Sequence, residues 1–184
     1  TCVTQLDCNT TEIWLIANGG VSYAWSNAFY GGGPEQHISN PGNYYVTVTG
    51  VNGCTSAASI NITQNIVQPS LSVYSQTGAC ELNCNASTIT VTANSNGISY
   101  AWSGGMTPIS VSNTFMNAGP YTLTVTGDNG CTATSSFVIT SNYTVPSVSI
   151  TNNTGTNTID CNNPEISVTA VGSGETYAWS DGNT

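Results

Sequence analysis

Short segments in which apolar and polar residues alternate recur along the chain. Residues 69–73 read Pro-Ser-Leu-Ser-Val, residues 89–93 read Ile-Thr-Val-Thr-Ala, and residues 121–126 read Tyr-Thr-Leu-Thr-Val-Thr. Because successive side chains of a β-strand point to opposite faces, this period of two predicts strands that bury one face and expose the other. No segment of the sequence shows the 3.6-residue period of an amphipathic helix. The pattern therefore predicts an all-β chain.

Three unrelated motifs recur at one spacing. The tryptophans of the Tyr-Ala-Trp-Ser motif are 77 residues apart, and the other two motifs keep that interval to within one residue. The motifs are Tyr-Ala-Trp-Ser at 23–26, 100–103 and 177–180, Asn-Gly-Cys-Thr at 52–55 and 129–132, and Asp/Asn-Cys-Asn at 7–9, 83–85 and 160–162. Since independent motifs share the period, the chain contains an internal repeat.

Each complete repeat has the strand pattern of a β-sandwich. In the second repeat we assign strand A to residues 69–73, B to 89–93, C to 100–103, F to 121–126 and G to 136–139. About seven short strands with one buried Trp after strand B are typical of an immunoglobulin-like sandwich. The sequence predicts such sandwiches in tandem, arranged head to tail.

The period also predicts the domain boundaries. Residues 1–66 form repeat 1, whose N-terminal strand is missing, residues 67–144 form the complete repeat 2, and residues 145–184 form repeat 3, truncated after strand C. Tryptophan on a strand can serve as a sugar-stacking platform, but recurrence at one strand position favours the core. The predicted core aromatic residues are Trp25, Trp102, Trp179, Tyr44 and Tyr121.

Charge composition excludes several kinds of partner. The 184 residues include no Lys or Arg, nine Asp plus Glu and one His, for a formal net charge of −9. Without cationic side chains the protein cannot neutralise nucleic-acid phosphates or be attracted to anionic membrane surfaces. No segment approaches the roughly 18 apolar residues of a membrane span. We therefore predict neither nucleic-acid binding nor membrane insertion.

The same composition argues against an enzyme. His37 is the only imidazole and falls in the variable segment 34–38, which we interpret as a solvated loop without an equivalent in repeat 2. General-base, oxyanion and phosphate chemistry would therefore lack partner side chains. We predict no catalytic residue and no metal-ligating residue.

Recurring carboxylates leave one alternative for a cofactor. Asp7 and Asp160 recur with Asn83 between them, and Glu12 recurs as Glu165. These residues would either hold a structural Ca²⁺ at a repeat junction or cap turns with their side-chain oxygens. We favour capping, and hence no cofactor.

Seven cysteines in a chain rich in Thr, Ser and Asn indicate an oxidising, extracellular compartment. Five of them follow the repeat: Cys8, Cys84 and Cys161 lie between strands A and B, and Cys54 and Cys131 follow the F–G turn.

The pairing of these cysteines has two alternatives. Bonds within a repeat would be Cys8–Cys54 and Cys84–Cys131, but the A–B and F–G connections lie at opposite ends of a sandwich. A disulfide needs Cα atoms within about 7 Å of each other. In a head-to-tail array the A–B end of one repeat faces the F–G end of the next, and we therefore favour an inter-repeat Cys8–Cys131 bond. Outside the pattern, Cys80 allows a local Cys80–Cys84 loop, and Cys2 has no assigned partner.

Large apolar residues on a polar strand face mark a candidate interface. Trp14 and Ile16 stand where the other repeats have Thr or Ser, facing away from the core-facing Ile13 and Leu15. Phe29 and Tyr30, in an insertion, are further interface candidates. The alternative is that this insertion covers Trp14 and Ile16.

The motifs resemble the tandem PKD-like and Ig-like repeats of Bacteroidota cell-surface proteins, and are most similar to repeats of SprB-type gliding adhesins. Tyr-Ala-Trp-Ser at 23–26, Pro-Gly-Asn-Tyr at 41–44 with Val-Thr-Val-Thr-Gly at 46–50, and Asn-Gly-Cys-Thr at 52–55 carry the resemblance. It implies a long surface filament or adhesin exported by type IX secretion and acting in gliding motility. Gly50 and Gly127 depart from it, since family members commonly have Asp there.

We predict a structural and adhesive stalk whose partners are neighbouring repeats, further copies in a filament, and a surface or glycan ligand that the sequence does not identify. The alternative is a carbohydrate-binding accessory module of a secreted enzyme.

Overall fold

A computed structural model describes residues 3–26 and 32–180 of the chain. Fifteen β-strands and no helix are found in these ranges. The strands are β1 (Gln5–Asp7), β2 (Ile13–Ile16), β3 (Ser22–Trp25), β4 (Glu35–Ile38), β5 (Gly42–Thr49), β6 (Thr55–Asn65), β7 (Leu71–Ser75), β8 (Glu81–Asn83), β9 (Ile89–Ser95), β10 (Ser99–Trp102), β11 (Ser112–Phe115), β12 (Gly119–Thr126), β13 (Thr132–Asn142), β14 (Val148–Asn152) and β15 (Val168–Gly172). The predicted all-β fold class is confirmed.

Strands β7 to β13 build repeat 2 as two sheets. One sheet has the order β10-β12-β13-β8 and the other the order β11-β9-β7. Strand β12 pairs antiparallel with β13, from Gly119↔Ile139 to Thr126↔Thr132. In the predicted letters, strands C, F and G lie in one sheet and strands A and B in the other, which is the order of an immunoglobulin-like sandwich.

Alternation along these strands fills the core of repeat 2. Ile89, Val91 and Ala93 point inward from β9, and Leu123 and Val125 point inward from β12. The rest of the buried cluster is Leu82, Trp102, Phe115 and Ile139. Phe115 meets the Trp102 ring edge to face, with centroids 6.0 Å apart.

The indole N–H and phenol O–H groups of the core aromatic residues donate hydrogen bonds to backbone carbonyls. Trp102 Nε1 donates to the carbonyl of Ser110 at 2.7 Å, and the Tyr121 hydroxyl donates to Asn117 O, four residues upstream, at 3.0 Å. Repeat 1 has the same bonds, from Trp25 to Gly33 O and from Tyr44 to Asn40 O. These buried and half-buried aromatic side chains therefore keep their polar atoms hydrogen-bonded.

Repeat 1 has the same plan with one strand fewer. Strands β1-β6-β5-β3 form one sheet and β2-β4 the other, so in the described ranges nothing corresponds to β7. The core of repeat 1 is aliphatic. It contains Leu6, Ile13, Leu15, Ile38 and Ile62, with Trp25 and Tyr44 half-buried against it.

Residues Thr1–Ser141 form one compact unit and Asn142–Thr184 a second. In the second unit β14 pairs antiparallel with β15, from Val148↔Gly172 to Asn152↔Val168. The prediction of strand C at residues 177–180 is wrong, since they form no strand. Strand C pairs with strand F in the other repeats, and no strand F occurs among the described residues of this unit. The proposed repeat boundaries at residues 66 and 144 stay predictions.

Replacing Trp102 by Ala should destabilise repeat 2 by about 3–5 kcal/mol, because it leaves a cavity beside Phe115 and Phe137. Urea denaturation followed by circular dichroism measures the loss. Val138→Ala, at an exposed position of β13, is the control and should change stability by less than about 0.5 kcal/mol. Equal effects of the two substitutions would contradict the assignment of Trp102 to the core.

Candidate functional site

Repeats 1 and 2 are joined by a disulfide between two turns. Cys8 Sγ bonds Cys131 Sγ across 123 residues of sequence, with the two Cα atoms 5.0 Å apart. Cys8 directly follows β1, at the end of the repeat 1 sandwich that faces repeat 2. Cys131 directly precedes β13, at the end of the turn between β12 and β13. The inter-repeat pairing favoured from the sequence is therefore confirmed.

The alternative pairings are wrong. The described free cysteines are Cys54, Cys80, Cys84 and Cys161, all exposed. Neither Cys8–Cys54 nor Cys84–Cys131 forms, because Cys8 and Cys131 are bonded to each other. The local Cys80–Cys84 loop is absent as well, since β8 (Glu81–Asn83) extends the chain between its two cysteines. Cys2 lies outside the described residues.

An Asx turn positions Cys8. Asp7 Oδ1 accepts hydrogen bonds from the backbone N–H of Asn9 at 2.9 Å and of Thr10 at 2.6 Å. Asn83 and Asp160 cap the corresponding turns in the same way. Because Asn performs the task as well as Asp, capping explains why the two residue types interchange here.

The carboxylates of these turns behave as caps. The backbone N–H of Asn163, followed by that of Asn162, holds the pKa of Asp160 below its ordinary value by hydrogen bonding to its ionised form. In residues 3–26 and 32–180, no group of three His, Cys, Asp or Glu side chains is placed to hold a metal.

Asn129 is the polar centre of the junction. Its buried side chain donates from Nδ2 to the carbonyls of Asn65 and Val67, at 3.2 and 2.9 Å, and accepts the N–H of Cys131. Its backbone carbonyl accepts the N–H of Cys8 at 3.1 Å. One residue therefore ties together the last strand of repeat 1, the connection, and both halves of the disulfide.

Gly130 completes the fit between the two turns. Its φ is +73°, which favours glycine, and a Cβ there would come within 2.2 Å of the Asn9 side chain. Gly53 has a similar φ of +79° but open space around it. The junction therefore adds a steric requirement at Gly130 that the turn alone does not impose.

Sequence reasoning missed Asn129. The motif Asn-Gly-Cys-Thr predicts only the F–G turn, and the equivalent Asn52 is exposed and accepts the N–H of Cys54 within its own turn. The sequence signal for a role beyond the turn was the recurrence of Asn directly before Gly-Cys in both repeats. The F–G turn needs the Gly but does not require an Asn before it.

A second candidate surface is the outer face of the β2–β4 sheet, formed by Trp14, Ile16, Glu35 and His37. Trp14 is 62% exposed and Ile16 60% exposed, and most of the insertion that the alternative invoked as a cover lies outside the described residues. The sheet register places Trp14 opposite His37 and Ile16 opposite Glu35. Whether this face is an interface stays a prediction.

Glu12 fixes the aromatic part of this face. The Trp14 and His37 rings stack with centroids 4.2 Å apart. Trp14 Nε1 donates to Glu12 Oε2 at 3.0 Å, and His37 Nδ1 lies 3.3 Å from Glu12 Oε1. The prediction of a loop His is therefore wrong, because His37 belongs to β4 and is held by two neighbours.

Repeat 2 carries hydroxyl groups at the equivalent positions. Thr90 Oγ1 lies 3.1 Å from Thr114 Oγ1, and Thr92 Oγ1 lies 2.9 Å from Ser112 Oγ. His37 thus corresponds to Thr114, contrary to the expectation of no equivalent. Where repeat 2 has these pairs of hydroxyl groups, repeat 1 has the large apolar side chains of Trp14 and Ile16 at the same positions of the strand.

The remaining predicted site residues are distributed as follows. Trp102 is buried, and Trp25, Trp179, Tyr44 and Tyr121 are half-buried. Phe29 and Tyr30 lie outside the described residues. No described helix is long and apolar enough to cross a membrane.

No protein-family model and no curated protein matches the chain. Among solved structures, the amphioxus IgVJ-C2 molecule is similar at 15% identity and a TM-score of 0.32, over 71% of this chain and 96% of that chain. Likeness at this level carries no argument about function. The immunoglobulin-like assignment therefore depends on the strand order seen here.

Replacing Asn129 by Ala should destabilise the junction by about 1–3 kcal/mol, because it leaves the carbonyls of Asn65 and Val67 without their donor. Thermal unfolding of the oxidised chain measures the loss. The matched control Asn52→Ala removes an exposed turn cap and should cost about 0.5 kcal/mol or less. Equal losses for the two variants would show that Asn129 acts only within its own turn.

Proposed function

We propose that the chain is a force-transmitting and adhesive segment of an extracellular stalk or filament. An immunoglobulin-like sandwich is suited to a structural or adhesive module. The observation that carries the proposal is the Cys8–Cys131 disulfide and the load path that it creates.

A pulling force applied at the two ends would cross the disulfide instead of the sandwiches. Tension entering through β1 reaches Cys8 and passes directly to Cys131, so that β2 to β12 lie within a closed covalent loop. Only β1, β13 and the segments beyond them can then be extended. Such a path suits a protein that has to hold its length under load.

The hydrogen bonds of Asn129 support the same function. They connect the ends of both sandwiches to the connection between them, which leaves the connection few ways to bend. Charge composition adds a further argument: without Lys or Arg the chain offers no cleavage site to trypsin-like proteases, which favours persistence outside the cell.

The free cysteines extend the proposal to neighbouring repeats. Cys54 occupies in repeat 1 the position of Cys131, and Cys84 and Cys161 occupy the position of Cys8. All three are exposed. We expect each to bond a neighbouring repeat of the array as Cys8 bonds Cys131.

The resemblance to Bacteroidota repeats of the SprB type supports a cell-surface location, type IX secretion and a part in gliding motility. Partners in this proposal are neighbouring repeats, further copies of the chain in a filament, and a surface. Attachment is assigned to the Trp14 face, because Trp14 and Ile16 replace hydroxyl residues there and are more than half exposed.

The exposed indole of Trp14 also favours a second candidate function, binding of carbohydrate as an accessory module of a secreted enzyme. A sugar ring would stack on the uncovered part of the indole while Glu12 accepts hydrogen bonds from its hydroxyls. Saturable glycan binding that depends on Trp14 would favour this function over the stalk.

Stretching the oxidised chain from its termini by single-molecule force spectroscopy should release only the residues outside the disulfide loop. Reduction, or Cys8→Ser, should add about 400 Å of contour length, since 123 residues extend by about 3.3–3.6 Å each. Cys54→Ser is the matched control and should change nothing. An oxidised chain that unfolds to the same length as the reduced chain would refute the load path.

Replacing Trp14 and Ile16 together by Thr should leave the fold intact, because repeat 2 carries Thr90 and Thr92 at these positions. Adhesion to an apolar surface or self-assembly should fall at least tenfold. The control is Ile109→Thr, at an exposed apolar position elsewhere on repeat 2. Adhesion and assembly unchanged from the parent chain would remove the Trp14 face from the proposed function.

A further inference from the structure

Two turns of the chain contain the same Asn-Gly pair, Asn52-Gly53 after β5 and Asn129-Gly130 after β12. In each turn the N–H of the Gly donates to the carbonyl three residues before it, at 3.0 Å in the first turn and 3.1 Å in the second. In each turn the Asn Oδ1 accepts the N–H of the Cys two residues later, at 3.2 and 3.1 Å. The φ angles of the two glycines are +79° and +73°. The two turns are therefore a matched pair in their local geometry.

An Asn-Gly pair is open to deamidation by its own backbone. The Gly nitrogen gives up its proton and attacks Cγ of the Asn side chain, forming an N–Cγ bond. The bond from Cγ to Nδ2 breaks, and the leaving nitrogen takes up a proton and departs as ammonia. Water then opens the succinimide ring to Asp or isoaspartate, so the reaction needs no other reagent. Gly hinders the attack least, because it has no side chain.

The first turn leaves its Asn-Gly pair open to this reaction. Asn52 is exposed, and in the part of the chain that the structure describes its Nδ2 has no acceptor. A Cβ built on Gly53 would meet no atom within 4 Å. The side chain can therefore turn toward the Gly nitrogen and lose ammonia to solvent without breaking a bond from Nδ2.

The second turn holds its Asn in the junction between the repeats. Asn129 is only 7% exposed, and its Nδ2 donates to the carbonyls of Asn65 and Val67 at 3.2 and 2.9 Å. Next to it, Gly130 lies so close to Asn9 that a Cβ there would come within 2.2 Å of that side chain. Attack on Cγ would have to rotate the amide away from both carbonyls and expel its nitrogen from a buried site.

We propose that Asn52 is a site of spontaneous deamidation, and that the closed junction protects Asn129 from the same reaction. Local turn geometry is the same in both, so the difference in reactivity comes from packing between the repeats. The inference goes beyond the proposed stalk and depends only on the junction.

The products have different effects at the two sites. At residue 129 a carboxylate oxygen would replace the amide nitrogen and face the carbonyl oxygens of Asn65 and Val67, which repel it. At residue 52 an Asp side chain still accepts the N–H of Cys54, so the turn keeps its cap. A junction that opens for long enough to react at Asn129 therefore cannot close again in its present form. Deamidation at this residue is a permanent record of opening.

The test incubates the oxidised 184-residue chain in neutral buffer and digests samples with chymotrypsin, because the sequence has no Lys or Arg for trypsin. Chromatography with mass spectrometry should show Asp plus isoaspartate forming at least tenfold faster at residue 52 than at residue 129. In the reduced chain in concentrated urea, which lacks both turns and junction, the two rates should agree within threefold.

Two outcomes would overturn the proposal. The first is equal rates in the folded chain, including no reaction at either residue. The second is a tenfold difference that persists in urea, since it would come from the preceding residues Val51 and Asp128 and not from the junction.

The effect of the product is tested by installing it. Asn129→Asp should speed exchange of the Cys8 amide hydrogen at least tenfold, because this N–H donates to the residue 129 carbonyl across the junction at 3.1 Å. The matched control Asn52→Asp makes the same change of charge and should leave that exchange within twofold of the parent chain. Equal exchange in the two variants would overturn the claim that the closed junction requires the amide. None of these measurements involves extension or adhesion, so this proposal and the proposed function fail separately.

Discussion

The short connection between the sandwiches is the constraint on which unit Thr1–Ser141 depends. Only residues 66–70 separate β6 from β7, so the turn after β1 and the turn between β12 and β13 must meet. Without a donor, backbone carbonyls at the end of β6 and in the connection would be buried without partners, at a cost of about 1–3 kcal/mol each. Asn129 removes that cost by donating to two of them, and Cys8–Cys131 then fixes the approach covalently.

Repeats 1 and 2 have the same strand plan but differ in their cores and in their outer faces. Repeat 2 closes its core with an aromatic cluster in which Phe115 and Phe137 pack on Trp102. Repeat 1 has Ile38 and Ile60 at the equivalent positions, a thinner core, and an open groove with β2 on one side and β5 and β6 on the other. Its outer face also exchanges a hydroxyl ladder for Trp14 and Ile16. Repeat 2 is thus the closed sandwich, while repeat 1 has an open groove and an exposed Trp14 face.

The alternation of apolar and polar residues predicted the strands of repeat 2, because aliphatic residues at every second position can all be buried only on one face of a strand. It failed at β4, where the buried position opposite Leu15 is Gln36 instead of an aliphatic residue. The equivalent Asn113 is also buried, and it donates to Gly104 O and accepts from Thr107 and Thr114 N–H groups. A buried amide satisfied by the backbone looks like loop chemistry in the sequence, and His37 was misassigned for this reason.

The disulfide was predictable because it follows from which ends of two sandwiches can meet. The role of Asn129 was not predictable, because its partners are the carbonyls of Asn65, at the end of β6, and of Val67, in the connection, which lie 64 and 62 residues away in sequence. No periodicity in the sequence indicates these contacts. Strand C at residues 177–180 failed for a related reason: Tyr177 and Trp179 have the right alternation, but a strand exists only where a neighbour accepts its hydrogen bonds. The alternation of apolar and polar residues determines which segments can form a strand, and hydrogen bonding to a neighbouring strand determines which of them do.

The surface of the protein replaces ion pairs with hydroxyl pairs. With no Lys or Arg in the sequence, His37 and Glu12 form the one ion-pair geometry in the described ranges. Thr124 and Thr134 instead pair across exposed strands at 3.3 Å, as Thr90 and Thr114 do at 3.1 Å. Neutral pairs of this kind are not screened by salt, whereas exposed ion pairs are. The stabilisation that the hydroxyl pairs, the buried amide and the disulfide contribute therefore changes little with ionic strength.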